Sequence, residues 1–181
     1  MKLTQFLQTN NIIINDSLLN SLQQTTSNIP EFTLKGINTI AKVVDVYDGD
    51  TCKVVIDFNG KMTKFTIRLN GYDSPEMKTS DSVEKEYAVA TRNVLQKIIL
   101  NKIVVVKFAD YDKYGRVLGD IYVNMGDDIL YVNEWMINSK LVTTYGGGKK
   151  EKYNTVFGGN VKSSDIMSFL QIPITYDIKN I

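Results

Sequence analysis

The sequence predicts an α+β domain, mainly β: a five-stranded barrel of the OB type with two to three packed helices. Three observations carry this. From Asn38 the residues alternate side to side as a strand requires, with Ile40, Lys42, Val44 and Val46 set against Ala41, Val43, Asp45 and Tyr47. Two turn signals, Asp48-Gly49 and Asn59-Gly60, divide the following stretch into three consecutive strands. A helical pattern then separates these three from two further strands, the order of an OB barrel.

Taken in order, residues 1–36 form a polar extension in which Asn, Gln, Ser and Thr dominate. Charges there are confined to Lys2, Asp16, Glu31 and Lys35. Leu3, Phe6 and Leu7, and then Leu18, Leu19 and Leu22 behind a cap at Asp16, have helical spacing. The extension reads equally as two short helices or as a partly disordered arm. The main domain, 37–146, begins with the strand from Asn38. Strands at Thr51 to Phe58 and Met62 to Asn70 follow. After Pro75, Tyr87, Ala90, Val94, Leu95 and Ile98 fall on one side of a helix running to Asn101, which would cap the sheet. Strands at Ile103 to Phe108 and Val117 to Val123 flank the turn Asp112-Lys113-Tyr114-Gly115, and Leu130 to Lys140 reads as another helix. The last segment, 147–181, is loop-rich, with a short helix from Ser164-Asp165 to Gln171. Between Lys140 and Lys162 there are five lysines and one acid, Glu151, a local excess of positive charge.

A length of 181 residues suits one domain on the usual scale of roughly 150 residues. With no histidine and one cysteine, Cys52, neither a Cys/His zinc site nor any histidine-based triad or general base can form. An internal disulfide is likewise excluded. No run approaches the ~20 apolar residues of a membrane span, and the amino-terminal region lacks the apolar stretch of a secretory signal. These features lead us to expect a cytoplasmic or otherwise intracellular protein with no membrane partner. A formal net charge of +1 rules out a uniformly basic wrapper of nucleic acid but permits a local patch.

Singly, each short motif has an ordinary structural reading. Asp48-Gly49-Asp50-Thr51 is hairpin chemistry, and Arg68 shares a strand face with Thr66 and Asn70, where solvation is the simplest expectation. Asp73-Ser74-Pro75-Glu76 reads as a strand exit and Asp112 to Arg116 as a further hairpin. Together they have a common chemistry. Asp50, Asp73 and Glu76 supply hard oxygen ligands, which favour Ca²⁺ or Mg²⁺ over zinc or copper. Arg68 and Arg116 supply planar cations that match phosphate oxygens two at a time.

In order and spacing, Asp48-Gly49-Asp50-Thr51, then Arg68-Leu69-Asn70-Gly71-Tyr72-Asp73-Ser74-Pro75-Glu76, then Asp112-Lys113-Tyr114-Gly115-Arg116 resembles the signature of the staphylococcal nuclease (thermonuclease) family. The likeness covers roughly residues 38–146. It implies hydrolysis of DNA and RNA, single strands especially, at the P–O5′ bond to leave 3′-phosphates, and the polar amino-terminal arm without a secretory signal leads us to expect a non-secreted member. By the same likeness one Ca²⁺ is held by the Asp50 and Asp73 side chains and the Ser74 carbonyl. Arg68 and Arg116 are implied to clamp the phosphate, and Glu76 to act as general base. Carboxylates are weak bases at neutral pH, so the metal would supply much of the water's activation. Lys113, Tyr114, Tyr145, Lys149 and Lys150 are the candidates for positioning substrate by backbone contact and base stacking. Ser74 replaces the threonine usual in the motif, a mild change for a main-chain contact. The Gly146-Gly147-Gly148-Lys149-Lys150 stretch and the sparsely charged C-terminal segment depart from the lysine-rich final helix of the secreted bacterial enzyme. Alanine at Arg68 or Arg116 is expected to lower activity by orders of magnitude with the fold retained. The competing expectation is a non-catalytic binding module of the same fold; the intact acid and arginine set speaks for the enzyme.

Overall fold

A computed structural model describes residues 2–146 of the chain. The molecule divides between Thr33 and Leu34 into two compact units. The first carries α1 (Leu3–Thr9) and α2 (Asp16–Gln24). The cap of α2 is Asn15 and not Asp16: its side-chain oxygen accepts from the amides of Ser17 at 2.8 Å and Leu18 at 3.3 Å, leaving Asp16 to face the helix dipole from within the first turn.

The second unit contains β1 (Asn38–Val46), β2 (Thr51–Phe58), β3 (Lys61–Leu69), β4 (Tyr72–Asp73), α3 (Ser82–Ile99), β5 (Ile103–Tyr111), β6 (Val117–Asn124), β7 (Ile129–Tyr131), α4 (Val132–Asn138) and β8 (Thr143–Thr144). Strands β3, β2, β1, β5 and β6 pair antiparallel in that order, and a parallel pairing of β3 with β6 closes them into a barrel. At the closing seam Ile67 faces Val117, Arg68 faces Leu118 and Leu69 faces Gly119. This is the predicted five-stranded barrel, with β7 as an extra strand on β6.

Alternation sorts the residues: Val117, Gly119, Ile121 and Val123 of β6 point inward, as do Ala41 and Val43 of β1. Ile67, Leu69, Leu95, Ile98, Ile99 and Ile121 are among the fully buried side chains, each worth about 1.5–3 kcal/mol of transfer free energy. Helix α3 starts at Asp81, whose carboxylate accepts from the Val83 and Glu84 amides, and buries Ala88, Thr91, Val94, Leu95, Ile98 and Ile99. Asn133 fastens α4 to the seam. Its buried side chain accepts from the Ile121 amide at 3.1 Å and donates to the carbonyls of Asn70 at 3.0 Å and Gly119 at 3.1 Å.

Three details differ from expectation. The helix predicted from Leu130 begins only at Val132, because Tyr131 extends the sheet opposite Tyr122, with their rings stacked at 4.8 Å. A two-stranded pairing of β4 with β8 joins Tyr72 to Thr144 and Asp73 to Thr143. The two hairpin turns also differ in kind: Asn59 and Gly60 take positive φ (53° and 79°), as a tight hairpin demands, whereas Asp48-Gly49 does not. Among the described residues no helix is long and apolar enough to cross a membrane. The helix expected from Ser164 to Gln171 lies outside the described residues.

Candidate functional site

Turns at one end of the barrel enclose a cavity of about 710 Å³. The β1–β2 turn contributes Asp48 and Asp50, the end of β3 contributes Arg68, and β4 with the loop after it contributes Asp73, Ser74 and Glu76. The β5–β6 hairpin adds Asp112, Lys113, Tyr114 and Arg116, and the residues after β8 add Tyr145.

Arg68 sits at the centre. The outward parity of its strand does not expose it: it is only 6% exposed, because the seam, β4 and the Asp48–Asp50 turn close over it. The solvated-face reading is therefore corrected. Its Nη2 lies 3.2 Å from Asp50 Oδ2, donates to Asp73 Oδ1, and donates to the Tyr72 carbonyl at 2.9 Å. Nη1 donates to the Leu69 carbonyl at 3.4 Å. One guanidinium nitrogen thus gathers carboxylate oxygens from two elements.

Asp50 is itself oriented. Its Oδ1 accepts from the Thr51 hydroxyl at 2.7 Å, and its Oδ2 accepts from the Ser74 amide at 3.3 Å. The Asp50 amide donates to Asp48 Oδ1 at 3.1 Å. Burial, and then the charge of neighbouring Asp50, push the Asp48 carboxyl up to about 7. Gly49 between them is required by space: a Cβ there would lie 2.6 Å from Thr91 Cγ2 and 2.7 Å from Ser74 Cβ.

Tyr72 was not singled out by the sequence. It is fully buried, and its hydroxyl donates to the Gly49 carbonyl at 3.1 Å. Burial raises its pKa well above the ordinary phenol value, which keeps the hydroxyl a donor. The available signal was a tyrosine directly before a candidate ligand, in a strand too short to show a period. Cys52 is buried in the core, and burial pushes its thiol up to about 12, so it is not a nucleophile.

Arg116 lines the same cavity, just before β6. Its Nε donates to Asp112 Oδ2 at 2.7 Å, while Asp112 Oδ1 accepts from the amides of Tyr114 at 2.8 Å and Arg116 at 2.9 Å. Burial pushes the Asp112 carboxyl up, but these bonds outweigh it and hold the group below its usual range. The 73% exposed Tyr114 ring has the Arg116 guanidinium at 5.5 Å and the Lys113 ammonium at 5.1 Å from its centroid. Tyr145 approaches Arg68 at 5.6 Å, its amide bonded to the Gly71 carbonyl at 2.8 Å. Glu76 is exposed on the wall, and its amide donates to Glu84 of α3 at 3.2 Å. Lys149 and Lys150 lie outside the described residues.

The structure therefore brings Asp50, Arg68, Asp73, Ser74, Glu76, Lys113, Tyr114, Arg116 and Tyr145 to one cavity. The donor set fits a hard cation. The wall carries five carboxylates against three cationic side chains, and an oxygen of Asp50 and one of Asp73 are drawn together at Arg68 Nη2. Among the described residues no three acidic, histidine or cysteine side chains form a ready-made cage. The Ser74 amide, not its carbonyl, is what meets Asp50.

Comparison with known proteins adds an independent finding. Residues 66–157 match the family model described as staphylococcal nuclease homologue. An uncharacterized endonuclease of Escherichia coli is 31% identical over 114 residues, covering 63% of each chain. A probable staphylococcal-like nuclease of rice is 37% identical over 76 residues, which is 42% of this chain and 18% of that protein. A staphylococcal-like nuclease of Arabidopsis thaliana is 37% identical over 82 residues, 45% of this chain and 22% of that one. The match thus spans less than two thirds of the length of each of these three relatives.

Proposed function

The chain belongs to the family of staphylococcal nuclease homologues, and on that premise we propose that it is a calcium-dependent phosphodiesterase that hydrolyses DNA and RNA, single strands especially, without base preference. The observation that supports this best is that Asp50 and Asp73 are brought together around Arg68 in a cavity with surplus acid that Arg116 also lines. A polyanionic substrate would be repelled by such a wall unless a cation joined it.

Asp50 and Asp73 would hold Ca²⁺, with a main-chain oxygen at Ser74. When bound, the ion supplies a Lewis acid that polarises the phosphate and offsets its charge. Arg68 and Arg116 grip the remaining phosphate oxygens and favour the more highly charged transition state. Glu76 takes a proton from the attacking water as its oxygen bonds phosphorus, the P–O5′ bond breaks, and the departing 5′ oxygen takes up a proton from solvent, leaving a 3′-phosphate and a 5′-hydroxyl. Tyr114 and Tyr145 offer faces for base stacking, while Lys113, with Lys149 and Lys150, contacts the backbone. None of these contacts reads a base edge, which explains the lack of sequence preference.

Digestion of a single-stranded oligonucleotide tests the reading. Activity should vanish with EDTA and return with excess CaCl₂, giving 3′-phosphate ends; cleavage indifferent to chelation, or none in calcium, would reject it. Arg116→Ala should lower kcat by about 10²-fold or more. Its melting temperature should barely move, since the side chain is 33% exposed and such pairs are worth about 0–1 kcal/mol. Near-normal turnover would remove Arg116 from the mechanism.

A further inference from the structure

We propose that Tyr72 is a positioning residue for the cation-binding turn, its buried hydroxyl fixing the backbone that presents Asp50. This rests on the reading above that Asp50 and Asp73 hold a divalent ion. A buried tyrosine always needs a partner for its hydroxyl, so a hydrogen bond alone would signify little. What matters is where this one ends. It ends on the carbonyl of Gly49, the residue before Asp50 and one without a side chain to anchor it.

Other bonds hold the flanks of the turn, the Asp50 carbonyl accepting from the Leu69 amide at 2.7 Å and the Thr51 carbonyl from the Tyr47 amide at 2.9 Å, while Thr91 and Ser74 crowd the Cβ side of Gly49. The Tyr72 hydroxyl adds a directional restraint on the Gly49 carbonyl itself. At its other end the same residue belongs to β4, directly before Asp73, and its carbonyl accepts from Arg68 at 2.9 Å. One stiff ring thus ties the Asp50 turn to the strand that carries Asp73, across 23 residues of sequence, alongside the bridge that Arg68 makes between the two carboxylates. Two ligands held at fixed separation lose less freedom when an ion binds, so the restraint appears as affinity.

The test is titration calorimetry of the full chain with CaCl₂ in the absence of nucleic acid. A net hydrogen bond of about 0.5–1.5 kcal/mol corresponds to roughly a two- to twelvefold change in an equilibrium constant. Tyr72→Phe, which keeps the ring and the carbonyl bond to Arg68, should raise the calcium Kd within that range while kcat at saturating calcium stays near normal. Tyr131→Phe is the control. It deletes a hydroxyl bonded to Asp120 at 3.1 Å, away from the cavity wall, and should leave Kd unchanged even where it lowers the melting temperature.

An unchanged Kd in Tyr72→Phe, with the wild type binding calcium, overturns the positioning role and leaves the metal assignment standing. An equal loss in Tyr131→Phe overturns it too, because the effect would then be one of general stability. A wild type that binds no calcium sinks the metal reading and this inference together. Should Tyr72→Phe fail to fold, the wild-type Tyr72 ring resonances serve instead: calcium should shift them as the turn settles, and their indifference to calcium counts against the proposal.

Discussion

Arg68→Ala should cost about 3–5 kcal/mol of folding stability in addition to abolishing turnover. The guanidinium is 6% exposed and stands between Asp50 and Asp73 while bonding the carbonyls of Leu69 and Tyr72. Its removal leaves two buried carboxylates side by side with no countercharge, which is far worse than losing an exposed ion pair. Against a total stability of ~5–15 kcal/mol for an ordinary domain, such a loss brings the fold close to its limit. Motif spacing alone treats the two arginines alike and expects the fold to survive either substitution; burial separates them. Urea unfolding checks this, and the variant should regain more stability from added CaCl₂ than the wild type does, because the ion replaces the missing charge. A variant as stable as the parent without calcium would show that the arginine does not hold the turns together.

Gly49→Ala is the second substitution with a large expected effect, although only one methyl is added. The new Cβ would meet Thr91 Cγ2 at 2.6 Å and Ser74 Cβ at 2.7 Å, distances that real contacts do not reach. Thr91 is buried in α3, and Ser74 is buried in the loop after β4, so neither neighbour can simply swing away. The turn must move instead, and Asp50 moves with it. Overpacking of this kind costs about 1–3 kcal/mol. Displacing a catalytic group by about 1 Å costs on the order of 10²-fold in rate. A thermal melt and a kcat measurement at saturating calcium separate the two consequences, and wild-type values for both would mean that the turn is looser than its packing indicates.

Much of the fold is legible in the sequence because its signals are long. Nine-residue strands show their alternation, Asn59-Gly60 announces its hairpin, and the apolar stripe of α3 repeats over eighteen residues. The elements that escaped are short. Three residues of β7 and two each of β4 and β8 cannot establish a period, and their pairing depends on partners distant in the chain. Site residues were legible as types at a spacing, but their environment was not. Arg68 reads as a surface residue by parity because nothing local reveals that a parallel seam and a returning strand cover it. Asp48-Gly49 reads as a turn made for φ, whereas Gly49 is there to admit Thr91 and Ser74. Tyr72 was hidden for the same reason, since the carbonyl it holds belongs to a turn more than twenty residues earlier.

The parallel seam has a consequence for how the molecule comes into being. Arg68 and Leu118 become neighbours although about fifty residues separate them, so their junction carries a large loop-closure cost and waits for the helix and hairpin between them. Asp50 and Arg68 come from one side of that junction, and Arg116 with Asp112 from the other. A chain opened along this line by heat or denaturant keeps both halves of the chemistry yet should perform none of it, and regained hydrolysis would time the moment at which the cylinder shuts.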